Sequence, residues 1–223
     1  MRRFSYQGQW MLEQLSGPFS VVKEDIAGDA RLKKGPFVLE TESYRVEGVG
    51  HYCILRMNAL FGLMKMETLV LAATERDLPL LNLDRVCAMG KDTQIAELYD
   101  TQLQPWPEEE QAAFQALRER DADLAEPEKK GERWFDSLLY PCSYHKTGKK
   151  CARRLDRTAQ EYACAFLACL NAAPPCDPKA KKEKVRAFAG TLFERGGPAV
   201  DMVTKLFGPE IARRLILHHM YGI

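Results

Sequence analysis

The sequence predicts an α+β fold: one domain over residues 1–223, with a mainly antiparallel sheet drawn mostly from 35–100 and covering helices drawn mostly from 107–223. Three observations carry this expectation. Strand-like stretches follow one another before residue 100 at separations too short for the crossovers that parallel strands need. In the last third, apolar residues recur at helical spacing. No repeat, low-complexity linker or compositional boundary divides the two halves, so the helices are expected to cover the sheet.

Taken in order, residues 6–15 offer Trp10, Met11 and Leu15 as an apolar patch and predict a short helix ended by Gly17-Pro18. Residues 29–36 form a basic connector. Strands are predicted at 37–41, 43–49 and 51–57. Tyr44 and Val46 alternate with Arg45 and Glu47, and Gly48 and Gly50 supply the turn.

Residues 60–100 form the centre of the pattern. Two strands are expected there, separated by a turn-rich connection that bears carboxylates. In the first strand Lys65, Glu67, Leu69 and Leu71 share one face, and Met64, Met66, Thr68 and Val70 share the other. The run Asp77-Leu-Pro-Leu-Leu-Asn-Leu-Asp84 is apolar enough to be buried yet closes on a carboxylate. A turn at Met89-Gly90 leads into the second strand, 93–99.

Beyond residue 100, Pro107 followed by three glutamates opens a helix, with the acids at the positive end of its dipole. Residues 121–131 read as a charged surface excursion. Residues 141–157 are basic, through Lys146, Lys149, Lys150, Arg153, Arg154 and Arg157. Helices follow on Leu155, Ala159, Tyr162 and Phe166, then on Val185, Phe188 and Leu192. The closing helices are punctuated by Gly196-Gly197-Pro198 and Phe207-Gly208-Pro209.

The composition is that of an ordinary globular chain: net charge is +1, which gives no overall attraction to nucleic acid. The basic run lacks the aromatic interleaving of a nucleic-acid binder. No apolar run approaches bilayer length, and the N-terminus has no apolar core behind its arginines, so a cytoplasmic protein without a membrane partner is expected, as a monomer. Cys142, His145 and Cys151 lack a convincing fourth ligand. The seven cysteines are expected as thiols, and no metal is expected. Gly48, Gly50 and Gly62 do not form a dinucleotide fingerprint.

Three stretches carry a resemblance. They are Met66-Glu-Thr-Leu-Val-Leu with Asp77-Leu-Pro-Leu-Leu-Asn-Leu-Asp84-Arg-Val, then Trp134-Phe-Asp-Ser-Leu-Leu-Tyr-Pro, and the C-terminal run from Ala199. In order and spacing they resemble the ferredoxin-dependent bilin reductases. That resemblance implies a three-layer α/β/α sandwich with a linear tetrapyrrole between the sheet and the C-terminal helices. It further implies a biliverdin-like substrate, reduced by one-electron transfers from ferredoxin with no bound flavin or metal. Asp84 falls on the family's central aspartate, which protonates the bilin. Pro79 and Leu81 fall on the surrounding motif, and Asn82 stands where glycine is usual. Glu67 stands where phycocyanobilin-forming members carry histidine. The helical aspartate of some members falls on Gly197, with Asp201 one turn on.

The resemblance thus nominates Asp84 and Glu67 as catalytic, and Lys65, Pro79, Leu81, Asn82, Asp201 and His218 as substrate-binding. Bland readings stand beside these. Asp84 is either a buried proton donor or the cap of the next element. Glu67 either faces the ligand or pairs with Lys65 or Arg56 on a solvated face. The basic run either meets ferredoxin or the bilin propionates, or is a solvated loop. Met57, Met64, Met66, Met89 and Met202 either line a cavity or fill gaps. His51 and His145 read as surface residues. The alternative function is a binding protein that holds a bilin or similar flat hydrophobic acid without reducing it.

Overall fold

The computed structural model describes residues 4–128, 131 and 133–223. A single antiparallel sheet organises them. Its strands are β1 (Val21–Lys23), β2 (Arg31–Lys34), β3 (Phe37–Val46), β4 (Gly50–Ala59), β5 (Met64–Ala72), β6 (Leu80–Ala88), β7 (Lys91–Tyr99) and β8 (Tyr144–Lys149). They lie in the order β1-β3-β4-β5-β6-β7-β8, with β2 also pairing β3. From β3 to β7 each strand pairs with the next, as short connections require.

Helices cover both faces, which makes the predicted three-layer α/β/α sandwich. On one face α1 (Gly8–Ser16), α2 (Glu108–Arg120) and α3 (Ala152–Ala172) bury Met11, Phe114, Tyr162 and Phe166 against Leu69, Leu71, Leu81 and Leu83. On the other, α4 (Pro178–Arg195), α5 (Pro198–Phe207), α6 (Pro209–Arg213) and a π-helical turn (Arg214–Met220) bury Val185, Phe188, Val203 and Leu215 against Val70, Ala72 and Leu80. Both faces of β5 and β6 are therefore apolar for most of their length, the pattern of a sheet covered on both sides.

Several elements depart from expectation. Residues 60–100 hold three strands, because 80–88 pair on both sides instead of forming a connection. Residues 37–46 run as one strand, the ladder to β4 continuing through Glu42. The basic connector contains β2, and the first part of the basic run is β8, whose apolar content is too low to signal a strand.

Lys181 of α4 is fully buried, and its Nζ donates to the carbonyl oxygens of Leu78 and Thr101, both at 2.7 Å. It ties α4 to the segments that enter β6 and leave β7. Burial, against the opposing pull of Asp77, lowers its pKa to about 8. With the folded value below the unfolded one, near 10.4, the folded protein loses this proton first, so this group's contribution to stability rises with pH between those values. Lys181→Met is expected to flatten that rise in urea melts between pH 8 and 10. An unchanged slope would remove Lys181 as its source.

Candidate active site

Strand alternation decides what reaches the space between the sheet and the C-terminal helices. On β5 it presents Met64, Met66 and Thr68; on β6, Asn82, Asp84 and Val86; on β7, Ile95, Glu97 and Tyr99. Phe135, Leu192, Gly197, Val200, Met202, Met220 and Tyr221 close the space from the helical side. The result is a cavity of about 370 Å³, largely apolar, with its polar groups gathered on the sheet floor. It adjoins a wider cleft of about 720 Å³ through Ile95, Arg133, Phe135, Gly197 and Pro198, which line both. These volumes suit a ligand of moderate size.

Asp84 sits in mid-strand, so it is not a cap. Thr68 Oγ1 donates to its Oδ1 at 2.5 Å and Asn82 Nδ2 to its Oδ2 at 2.9 Å. Burial and the nearby Glu97 charge outweigh those two donors and raise its pKa to about 6. Glu97 is the group sequence reasoning missed. Its Oε1 lies 3.0 Å from His145 Nε2 and 3.6 Å from Arg133 Nη1, and Tyr99 Oη donates to its Oε2 at 2.5 Å. Burial would raise this carboxyl, but His145, Tyr99 and Arg133 together hold it below its ordinary value. The floor thus carries two carboxyls pushed apart, Glu97 held ionised and Asp84 raised to about 6, so that Asp84 is the one that still holds a proton in mildly acidic solution.

The remaining nominated residues divide by face. Asn82 lies on the cavity floor. Glu67 and Lys65 alternate onto the opposite face, so neither reaches the cavity. Glu67 is buried beneath α1, accepting from the backbone N–H of Gln7 at 2.5 Å and Gly8 at 3.2 Å, and from Arg56 Nε at 2.9 Å. It caps α1 from a distant strand. Glycine at position 8 makes that approach possible, since a Cβ there would lie 2.8 Å from Ile54 Cγ2 and 3.0 Å from Glu67 Oε1.

Leu81 packs in the core on the α1–α3 side, and Pro79 is buried just before β6. Asp201 is exposed and lines the outer cleft, whereas Gly197 lines the cavity itself. His218 is exposed on the far side, its Nδ1 2.5 Å from the Ile223 carbonyl oxygen. Within the basic run, Lys146 is buried with its Nζ on the Leu124 carbonyl, and Arg154 is bound to Asp121 and Asp123. Lys146 shares the Tyr144 face of β8, which α3 covers, and none of the six cations of the run lines the cavity or the adjoining cleft, so they are not placed as propionate ligands. His145, expected at the surface, instead alternates inward to Glu97, and His51 is buried too. Of the methionines, Met64, Met66 and Met202 line the cavity, Met57 is core and Met89 is exposed. Among the described residues no histidine, cysteine and carboxylate cluster could hold a metal ion, and the cysteines are free.

No protein-family model matches this chain, and no curated protein matches it in sequence. Among solved structures it is similar to phytochromobilin synthase from tomato, determined in complex with biliverdin. The match covers 96% of this chain and 81% of that one, with a TM-score of 0.74 and 12% identity. The two share a fold. At that identity the likeness extends to the sheet and its helical layers, and the site must be argued from its own residues.

Proposed function

We propose that this chain is an oxidoreductase that reduces a biliverdin-like linear tetrapyrrole by successive one-electron transfers from reduced ferredoxin, Asp84 supplying protons. The observation that carries this reading is the placement of Asp84. A carboxyl with its pKa near 6 lies on the floor of an apolar cavity, on a fold shared with a protein solved with biliverdin. Each electron added to a conjugated bilin raises its basicity, and a carboxyl whose pKa burial has raised towards neutrality is suited to pick up and deliver a proton to it. Glu97, kept ionised, takes the place proposed for Glu67 as the second carboxyl: with His145 it can accept from pyrrole N–H groups or relay a proton back to Asp84. The substrate carries the unpaired electron, so the chemistry requires no prosthetic group of the protein.

Arg133, paired with Asp136 at 2.6 Å, lines both cavity and cleft, and Arg195, stacked over Trp134 at 5.4 Å, lines the cleft. They are the cations placed to meet the substrate's propionates. Arg153 and Arg157, exposed on α3, are those offered to an acidic donor protein.

The second reading, a protein that holds the bilin without turnover, is favoured by Gly197, which leaves the helical wall of the cavity without an acid. One experiment separates them. Micromolar biliverdin is expected to bind saturably with a changed visible spectrum. Anaerobic addition of ferredoxin, ferredoxin reductase and NADPH is then expected to yield a new absorbing product. Binding without product would select the second reading, and no saturable binding would end both.

A further inference from the structure

The register brings several turns together at one end of the sheet. Lys34 pairs Phe37 across the β2–β3 turn, Ala59 pairs Met64 across β4–β5, and Ala88 pairs Lys91 across β6–β7, with Lys149 of β8 opposite Lys91. Apolar side chains project from the middle two turns. Phe61 is 96% exposed, Met89 81%, Leu63 63% and Leu60 41%. The two tips touch, Met89 N donating to the Leu63 carbonyl at 3.3 Å. None of the four belongs to either core.

The backbone at these tips is strained as well. Leu60, Phe61 and Met89 hold φ values of 53°, 56° and 51°, the left-handed region where bulky residues are disfavoured. At Met89-Gly90 both residues of the two-residue turn have positive φ, a position that asparagine or glycine fills more cheaply. Side chains that strain the backbone and add nothing to the core point to a role outside the folded chain.

Charge decides which. Lys34, Lys91, Lys149 and Lys150 are exposed around these tips and Lys65 is half-buried beneath them. Among the described residues no ion pair engages any of the five, and Asp92, beside Lys91, is buried and paired with Arg85. We propose that this end of the sheet docks on an anionic phospholipid surface, Phe61 and Met89 entering the headgroup–acyl boundary while the lysines meet the headgroups. A protein partner of ordinary size would need recesses matched to its own side chains. Here the apolar groups project, and none of the four lines a described cavity. Met64 and Val86, which follow and precede these turns, line the proposed bilin cavity, so the docked end of the sheet would lie beside that site.

The test is sedimentation with vesicles of phosphatidylcholine alone or mixed equally with phosphatidylglycerol. The wild-type protein is expected to partition onto the mixed vesicles only, and less as salt rises. The double variant Phe61→Ser, Met89→Ser should lose about tenfold or more in partitioning, as does Lys91→Glu with Lys149→Glu. Met89→Gly relieves the turn while removing the anchor, so it should keep or raise the melting temperature yet weaken binding. No binding to anionic vesicles, or equal binding by the folded double variant, would overturn the proposal. So would a wild type that ignores vesicles but loses binding to an acidic ferredoxin when Phe61 and Met89 are replaced. The vesicle results do not bear on bilin turnover, which is measured with soluble substrate and donor.

Discussion

Replacing Asp84 with asparagine is expected to lower bilin turnover by about 10²–10⁴ while leaving binding within a few-fold, the range for loss of a general acid. Asparagine can still accept from Thr68 Oγ1, so the cavity floor should keep its shape, but it has no proton to give. Electrons could still arrive, so a one-electron-reduced bilin should accumulate and be visible by paramagnetic resonance. Turnover in the wild type should decline as pH rises through about 6, where Asp84 ionises, and the variant should lack that limb. Full turnover by a folded Asp84→Asn protein would sink the mechanism.

The same residue makes a prediction that needs no substrate. The folded pKa of Asp84 lies above the unfolded one, so the folded state holds this proton more tightly. Stability from this group is complete below about pH 4, the unfolded value, and falls as pH rises towards 6. Above that, ionised Asp84 costs on the order of 2 kcal/mol relative to a neutral side chain. Asp84→Asn should therefore melt higher than the wild type at pH 7, with the gap closing at pH 4. A gap that does not depend on pH would mean that Asp84 is not the partly buried, raised-pKa acid described above.

Glu67 should produce the largest loss of stability, without any direct loss of chemistry. Glu67→Ala strands the N–H groups of Gln7 and Gly8 and removes one partner of Arg56, a loss of about 3 kcal/mol, at the lower end for a broken buried pair because Arg56 keeps Glu42. Burial raises the Glu67 pKa despite those donors, and both of its oxygens accept, Oε2 from Gln7 and Gly8 and Oε1 from Arg56. Glu67→Gln keeps one accepting oxygen for Gln7 and Gly8 but sets its amide NH2 against Arg56, so it should cost less than Glu67→Ala while still destabilising. Urea melts would check the ranking. A bilin spectrum unchanged by Glu67→Gln, in protein that remains folded, is the accompanying expectation, and an altered spectrum would return Glu67 to the cavity.

Much of the fold was legible because its signals are local. Alternation on 64–72, the glycine at 90 and the apolar spacing of 155–170 each report a backbone state within a few residues, and short spacing between strands excluded parallel pairing. The split of β3 into two strands and the loss of β8 into a basic loop have one cause. Glu42 and Lys146 are held by distant partners, Arg56 and the Leu124 carbonyl, which no local window contains.

The sequence by itself determined that Glu67 and Thr68 point to opposite faces of a strand, and that Asp84 follows apolar company. Only the tertiary structure decided which face holds the cavity. The alternation on β5 is apolar on both sides, with Leu69 and Leu71 against Val70 and Ala72, so the pattern carries no asymmetry to choose between them. The choice falls to α1 packing over Glu67 and the C-terminal helices packing over Thr68 and Asp84, contacts between segments far apart in the chain. Glu97 is assigned the same way. Nothing near it in sequence marks it as more than a strand carboxylate, and its ionised state is set by His145 and Arg133, delivered by a strand and a loop that arrive more than thirty residues later.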